Sequence, residues 1–272
     1  MNVIIYGVPG AGKTCLLVHF LNQYAFDRQR YLSMKREIEK LNNGGFHLTC
    51  PDHPVFSSFP IEFKKYGRSV RKNYHFDPFK FGFENKFVNV EPSVPFGVYG
   101  IMEAQEFYNS RMSLYFPDWV SRAYEQHRHN DLIFFMDTQR PDLIDSNIRE
   151  LSSFIEVVKL DIIRDKFTKK ICRLEWTVNK IANYKLYARY ESSGGLDKNT
   201  YTTEKIVADY NVFKLYDSKA DKPKFYSSLM DKDFTLIKGE ITGNTIESYK
   251  NFLSKYSNAR PDGYYQKRSA LV

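Results

Sequence analysis

The stretch "GVPGAGKT", residues 7–14, restricts what this chain can fold into more than any other. It has the spacing G-x-x-x-x-G-K-[ST] in the context that gives the spacing meaning. "NVIIY" before it is a β-branched, strand-like run, and "CLLVHFLNQY" after it is an apolar helix-like run. Gly7, Gly10 and Gly12 allow a tight turn whose backbone N–H groups point at one anion. The following helix adds its positive N-terminal end. Lys13 is expected to reach the β- and γ-phosphates of a bound nucleotide, and Thr14 to ligate Mg²⁺. Val8, Pro9, Ala11 and Cys15 complete the cradle. The cofactors expected on this basis are ATP and Mg²⁺.

A P-loop of this kind belongs to a mainly parallel sheet flanked by helices, with the site at the carboxyl ends of the strands. The rest of the chain can be read to that pattern. After the P-loop, one helix breaks near Ala25–Arg28, and a second ends at Gly44–Gly45. "VFSSFPIEF" reads as a strand. Residues 64–95, rich in Phe, Lys, Asn and Pro, read as an insertion. "FGVYGIMEAQEFY", "DLIFFMDTQ" and "FIEVVKLDII" read as strands. "DLIDSNIRELSSF" opens a helix, with Asp142 or Asp145 near its start. "KKICRLEWTVN" and "YKLYARYE" read as two antiparallel strands. The expected organisation is an ATPase core over 1–170, a small β-rich extension over 171–219, and a partly helical tail over 220–272.

Catalysis at a P-loop needs an acid at the end of a neighbouring apolar strand. Glu103 stands where "FGVYGIM" turns polar, and Glu106 follows one helical turn on. An aspartate usually precedes such a glutamate; here the position is Met102. Glu103 is therefore expected to act alone, orienting the water or holding Mg²⁺ through water. Gln139, ending another buried strand, is expected to face the γ-phosphate and the attacking water. Thr138 or Asp137 takes that place if the register shifts, and a turn before Pro141 is the plainer alternative.

An N-terminal P-loop, then "MEAQEFY", "HRHNDLIFFMDTQRPDLIDSNIREL" and a late "FKLYDS" together resemble the zonular occludens toxin (Zot) family, within the FtsK/HerA-like ATPases. The resemblance rests on Glu103, Ala104, Gln105, Arg128, His129, Thr138, Gln139, Asp145, Arg149, Tyr216 and Ser218 in that order. It covers most of residues 1–219. It implies a phage ATPase driving virion assembly or extrusion, or DNA translocation. It also implies a homo-oligomeric ring, hexameric in the family, with phage coat or assembly proteins or DNA as partners. An arginine acting in trans on the neighbour's γ-phosphate belongs to this picture. Arg128 and Arg149 match the family pattern better than Arg140 does. Two departures stand out: Met102, and the missing transmembrane continuation. A genome-packaging ATPase of a membrane-containing phage, and a nucleotide-dependent scaffold with little turnover, are the alternatives. A small-molecule kinase would need a lid with clustered arginines, and the sequence has none.

The remaining signals are weaker. A net charge of +8 suits nucleic acid or an anionic membrane face, and equally a solvated lysine-rich surface. Three scattered cysteines, Cys15, Cys50 and Cys172, suggest a reducing compartment. With no signal peptide and no apolar span, the expected location is the host cytoplasm, with peripheral association at the inner face of the membrane. His47, Cys50 and His53 have a loose metal-ligand spacing. His127 and His129 flank Arg128 and read as surface or interface residues. "KKYGRSVRKNYHF" interleaves basic and aromatic residues, as a nucleic-acid surface does and as a solvated loop equally would.

Overall fold

A computed structural model of the chain describes residues 1–44, 50–65, 68–72, 74–76, 78, 94–110, 124–125, 127–128, 130–131 and 132–216. The expected 220–272 tail, Ser218, most of the 64–95 insertion, His47 and His129 lie outside the described residues.

Strand β1 (Asn2–Tyr6) is buried at every position, as a strand covered on both faces must be. Its side chains alternate between two apolar layers. Val3 and Ile5 pack with Leu16, Leu17 and Leu21 of helix α1 (Lys13–Ala25). Ile4 and Tyr6 face Phe134, Met136, Phe154 and Tyr187 on the other side. Burying residues such as Ile4 and Ile5 contributes about 1.5–3 kcal/mol each.

The expected helix break is present. Asp27 accepts a hydrogen bond from the Arg30 backbone N–H and caps helix α2 (Arg28–Asn43), which Gly44 closes. Next come β2 (Val55–Ser57), β3 (Glu62–Lys65), β4 (Arg68–Lys72), β5 (Tyr74–His75) and β6 (Val98–Ile101). "VFSSFPIEF" is thus two strands rather than one. Ser57 donates to the carbonyl of Phe59, turning the chain after β2, and Pro60 supplies no donor to continue a ladder.

Strand β7 (Ile133–Asp137), the short helix α3 (Ser146–Glu150) and strand β8 (Ser152–Arg164) follow. Asp145, not Asp142, caps α3. Strand β9 (Ile171–Ile181) pairs antiparallel with β8. "YKLYARYE" is not a strand but helix α4 (Tyr184–Ser192). Asn183 caps it, accepting from the Leu186 N–H, and Tyr187 and Tyr190, three residues apart, turn one face onto the sheet. Strand β10 (Thr202–Asp209) then pairs antiparallel with β9.

The main sheet runs β10-β9-β8-β1-β7-β6-β2-β5. Its centre is parallel and its β9–β10 edge antiparallel. β7 lies between β1 and β6, so the strand carrying Asp137, and not the one leading to Glu103, is the direct neighbour of the P-loop strand.

Candidate functional site

The P-loop leaves the carboxyl end of β1 and closes on itself. The Ala11 N–H donates to the Val8 carbonyl at 3.2 Å, and the Lys13 ammonium donates to the same carbonyl at 3.1 Å. Gly12 is left-handed, with φ 81°, and caps α1. Its carbonyl accepts from the Leu16 N–H and from the Trp176 indole N–H, the latter at 3.3 Å. A side chain at Gly12 would strike Leu160 at 2.6 Å and Trp176 at 3.0 Å, so only glycine fits between the loop and the β8–β9 pair.

The Thr14 hydroxyl donates to the Asp137 carboxylate at 2.6 Å, across 123 residues of sequence. Asp137 ends β7, is 1% exposed, and also accepts from the Glu103 backbone N–H. Its carboxyl is pushed up to about 6, chiefly by burial; the Thr14 and Glu103 hydrogen bonds and the Lys13 charge pull the other way. A desolvated carboxylate beside a threonine hydroxyl offers the oxygen donors a hard divalent cation takes, and the Lys13 ammonium beside them suits phosphate oxygens.

Met102 and Glu103 are not on the strand, because β6 ends at Ile101. Met102 packs into the core, with its N–H donating to the Ser58 hydroxyl. Glu103 turns the chain with a left-handed backbone, φ 51°, and its carboxylate accepts from the Gln105 amide. It stands near enough to Asp137 to raise that residue's pKa. Lys13, Thr14, Asp137 and Glu103 therefore gather at the carboxyl ends of the central strands.

Gln139 is exposed and lies on the wall of a cleft of about 680 Å³. The cleft runs beside Gly7, Val8 and Pro9 and is backed by Tyr6, Glu156 and Tyr187. Arg140 is on the same wall, ion-paired with Asp142 at 2.6 Å. Arg128 is exposed and close to the Met1 amino group, at the opposite edge of the sheet from the P-loop. Arg149 lies 5.8 Å over the Tyr184 ring, between α3 and α4.

Cys15 is buried. Its thiol is pushed up to about 12 by burial, with a hydrogen bond to Tyr216 opposing the shift, so it is not a nucleophile. That contact brings Tyr216, of the late "FKLY" run, onto the P-loop helix. Asp137 is the functional residue that the glycine-loop pattern does not point to. Its signal was available: "IFFMD" is a fully buried apolar run ending in an acid.

Other expectations change. His127 is 2% exposed and bonded to the Tyr124 carbonyl, so it is a packed residue rather than a surface one. His53 is buried and its Nδ1 accepts from the Val55 N–H; among the described residues no three His, Cys, Asp or Glu side chains could hold a metal together. In "KKYGRSVRKNYHF", Arg71 donates to the Ala25 carbonyl and lies over Phe26, and Tyr74 donates to Asp52. Both are spent on internal contacts. Among the described residues no helix is long and apolar enough to cross a membrane.

No family model matches the chain, and no curated protein matches it by sequence. Among solved structures it is similar to the N-terminal domain of zonular occludens toxin from Neisseria meningitidis, at 17% identity and a TM-score of 0.45, over 79% of this chain and 98% of that one. It is also similar to the genome packaging NTPase of Sulfolobus turreted icosahedral virus 2 in complex with ATP-gammaS, at 13% identity and a TM-score of 0.35, over 75% and 95%. By its own strand order and glycine loop, this chain has the P-loop NTPase fold: a mainly parallel sheet flanked by helices, with an antiparallel edge.

Proposed function

We propose that this chain is an ATPase of phage origin that binds Mg·ATP at residues 7–15 and hydrolyses it to drive virion assembly or the movement of phage DNA. The observation that carries the reading is the Thr14–Asp137 hydrogen bond at 2.6 Å beside Lys13. Burying a carboxylate against the hydroxyl of the P-loop threonine costs free energy that its hydrogen bonds and the nearby Lys13 charge offset only in part, and a bound cation would offset more of it. The sequence resemblance to the Zot family supplies the biological setting.

In this reading Lys13 leaves the Val8 carbonyl and takes the β- and γ-phosphates, while the amides from Gly7 to Cys15 line the phosphate path. Thr14 and, through it, Asp137 hold the metal side; the metal supplies charge neutralisation on the phosphates when bound. Asp137 takes over the task that the family gives to an aspartate at position 102. Glu103, steadied by Gln105, orients the attacking water and takes up its proton. Gln139 approaches from the cleft wall.

A ring of such chains, hexameric as in the family, lets an arginine of one chain complete the site of the next. Arg128 is the candidate for that role, and its exposure at the far end of the sheet supports the reading. Arg149 is held over Tyr184 and is better placed to brace α3. The scaffold reading keeps one specific support: Met102 leaves position 102 without charge.

The test is calorimetric titration with Mg·ATPγS, with steady-state hydrolysis alongside. Lys13→Ala should lose tight nucleotide binding with its fold intact. Unchanged affinity in a folded variant would remove the site from the P-loop. Binding without turnover in the wild type, with and without DNA, would select the scaffold.

A further inference from the structure

β8 does not stop where the central sheet stops. Tyr6, the last residue of β1, pairs with Glu156, but β8 continues to Arg164. Those eight residues span about 26 Å at 3.3 Å per residue. There β8 pairs only with β9, which β10 flanks on its other side as far as Arg173, so the three strands project beyond the P-loop and the two-stranded hairpin is their tip.

The tip of the hairpin is preformed. The Asp165 side chain accepts from the Phe167 N–H, the Thr168 N–H and the Thr168 hydroxyl, at 3.0, 2.7 and 2.9 Å. The Asp165 N–H closes the turn on the Lys170 carbonyl. This geometry holds Phe167 outward, 92% exposed. Arg164, Lys166, Lys169 and Lys170 surround it, all exposed. The one carboxylate among them is spent on the turn, and no described acid forms an ion pair with Lys166, Lys169 or Lys170.

The base of the hairpin is fastened to the P-loop. Leu160 and Trp176 pair across the strands and both sit against Gly12, whose carbonyl takes the Trp176 indole N–H.

We propose that the β8–β9 tip, residues 164–170, is a nucleic-acid contact, in which Phe167 stacks on an unpaired base while the lysines neutralise phosphates, and that its stem passes the state of the P-loop to the bound strand. An aromatic face ringed by cations is the recognition chemistry of single strands. An anionic membrane is the weaker fit: one ring buries far less apolar area than an acyl chain, and a single acyl chain holds only marginally. Only the coupling rests on the ATPase reading; the contact does not.

The contact is tested with the full chain and a fluorescently labelled 30-nucleotide single strand, by anisotropy without nucleotide across a salt series. Combined Lys166→Ala, Lys169→Ala and Lys170→Ala substitutions should weaken binding at least tenfold and lower the salt slope by about two, at 0.7 per phosphate contact. Phe167→Ala should cost roughly five- to tenfold with the slope unchanged, as loss of one stacked base does. Both changes are on exposed positions, and circular dichroism checks the fold. Unchanged affinity in both variants would overturn the contact. So would loss of binding to phosphatidylserine vesicles with DNA affinity intact, which would make the tip a membrane probe.

Trp176→Phe tests the coupling, because it keeps a ring and removes the N–H to Gly12. It should reduce DNA stimulation of ATP hydrolysis while DNA affinity without nucleotide stays at the wild-type value. Full stimulation in that variant would overturn the coupling. Tight DNA binding by a wild type that hydrolyses no ATP would sink the ATPase reading and leave the contact standing.

Discussion

Gly12→Ala should damage the protein for two separable reasons. The backbone at Gly12 has φ 81°, and an alanine there pays about 1–2 kcal/mol for a left-handed conformation. Its Cβ would also lie 2.6 Å from the Leu160 Cδ2 and 3.0 Å from the Trp176 indole nitrogen. Leu160 is half-buried and can swing aside for roughly 0.5–1.5 kcal/mol of rotamer strain. Trp176 is fully buried and cannot move. The total is about 1.5–3.5 kcal/mol, or roughly 3–14 °C in Tm at 2–4 °C per kcal/mol. Gly10 supplies the control, with φ 80° and nothing within 4 Å of an added Cβ. Gly10→Ala should therefore pay the conformational cost alone. Denaturant unfolding of both variants isolates the packing part as their difference, about 1 kcal/mol. Adding Leu160→Ala to Gly12→Ala should recover most of that difference, so the pair should be non-additive. Equal destabilisation at Gly10 and Gly12, with strict additivity at Leu160, would mean that the hairpin does not bear on the P-loop.

Other outcomes follow from the site. Because burial raises the Asp137 carboxyl to about 6, its ionisation costs the fold stability as pH rises from about 4 through 6. The loss reaches about 3 kcal/mol above that window. Without metal, urea unfolding should show this decline in the wild type and not in Asp137→Asn; Mg·nucleotide should then stabilise the wild type alone. A parallel pH profile for the two proteins would mean that Asp137 is not the titrating group. Glu103→Gln should keep Mg·ATP affinity and lose at least tenfold in single-turnover hydrolysis, and unchanged turnover would assign the water to another residue. Arg128→Ala should lower kcat at least tenfold with KM nearly unchanged, and only under conditions where light scattering shows an oligomer; a fully active monomer would refute the trans role.

The local parts of this molecule were legible because near neighbours in the chain decide them. The glycine spacing announces the loop, Asp27 caps α2, Gly44 ends it, and the apolar runs of β1 and β7 mark buried strands. "YKLYARYE" was misread because its tyrosines and leucine suit either period, and only the Asn183 cap and the face presented to the sheet select the helix. His127 was misread because alternation in a short segment does not reveal what covers it.

In the sequence Glu103 stands as the acid of the site and Asp137 only as an alternative to Gln139, although each closes an apolar run. Glu103 drew attention because it matches a family pattern, yet Asp137 makes the contact. Spacing along the chain could not choose between them, because the choice depends on which strand lies next to β1. Strand order is set by non-local hydrogen bonding and by how two apolar layers close over the sheet. The sequence by itself determined that a tight glycine loop would join a buried strand to a helix at residues 7–14, since the whole unit lies within one strand, one turn and one helix. Only the tertiary structure decided which acid faces it and that a β-hairpin more than 140 residues away locks against Gly12, because both depend on packing between segments that share no local signal.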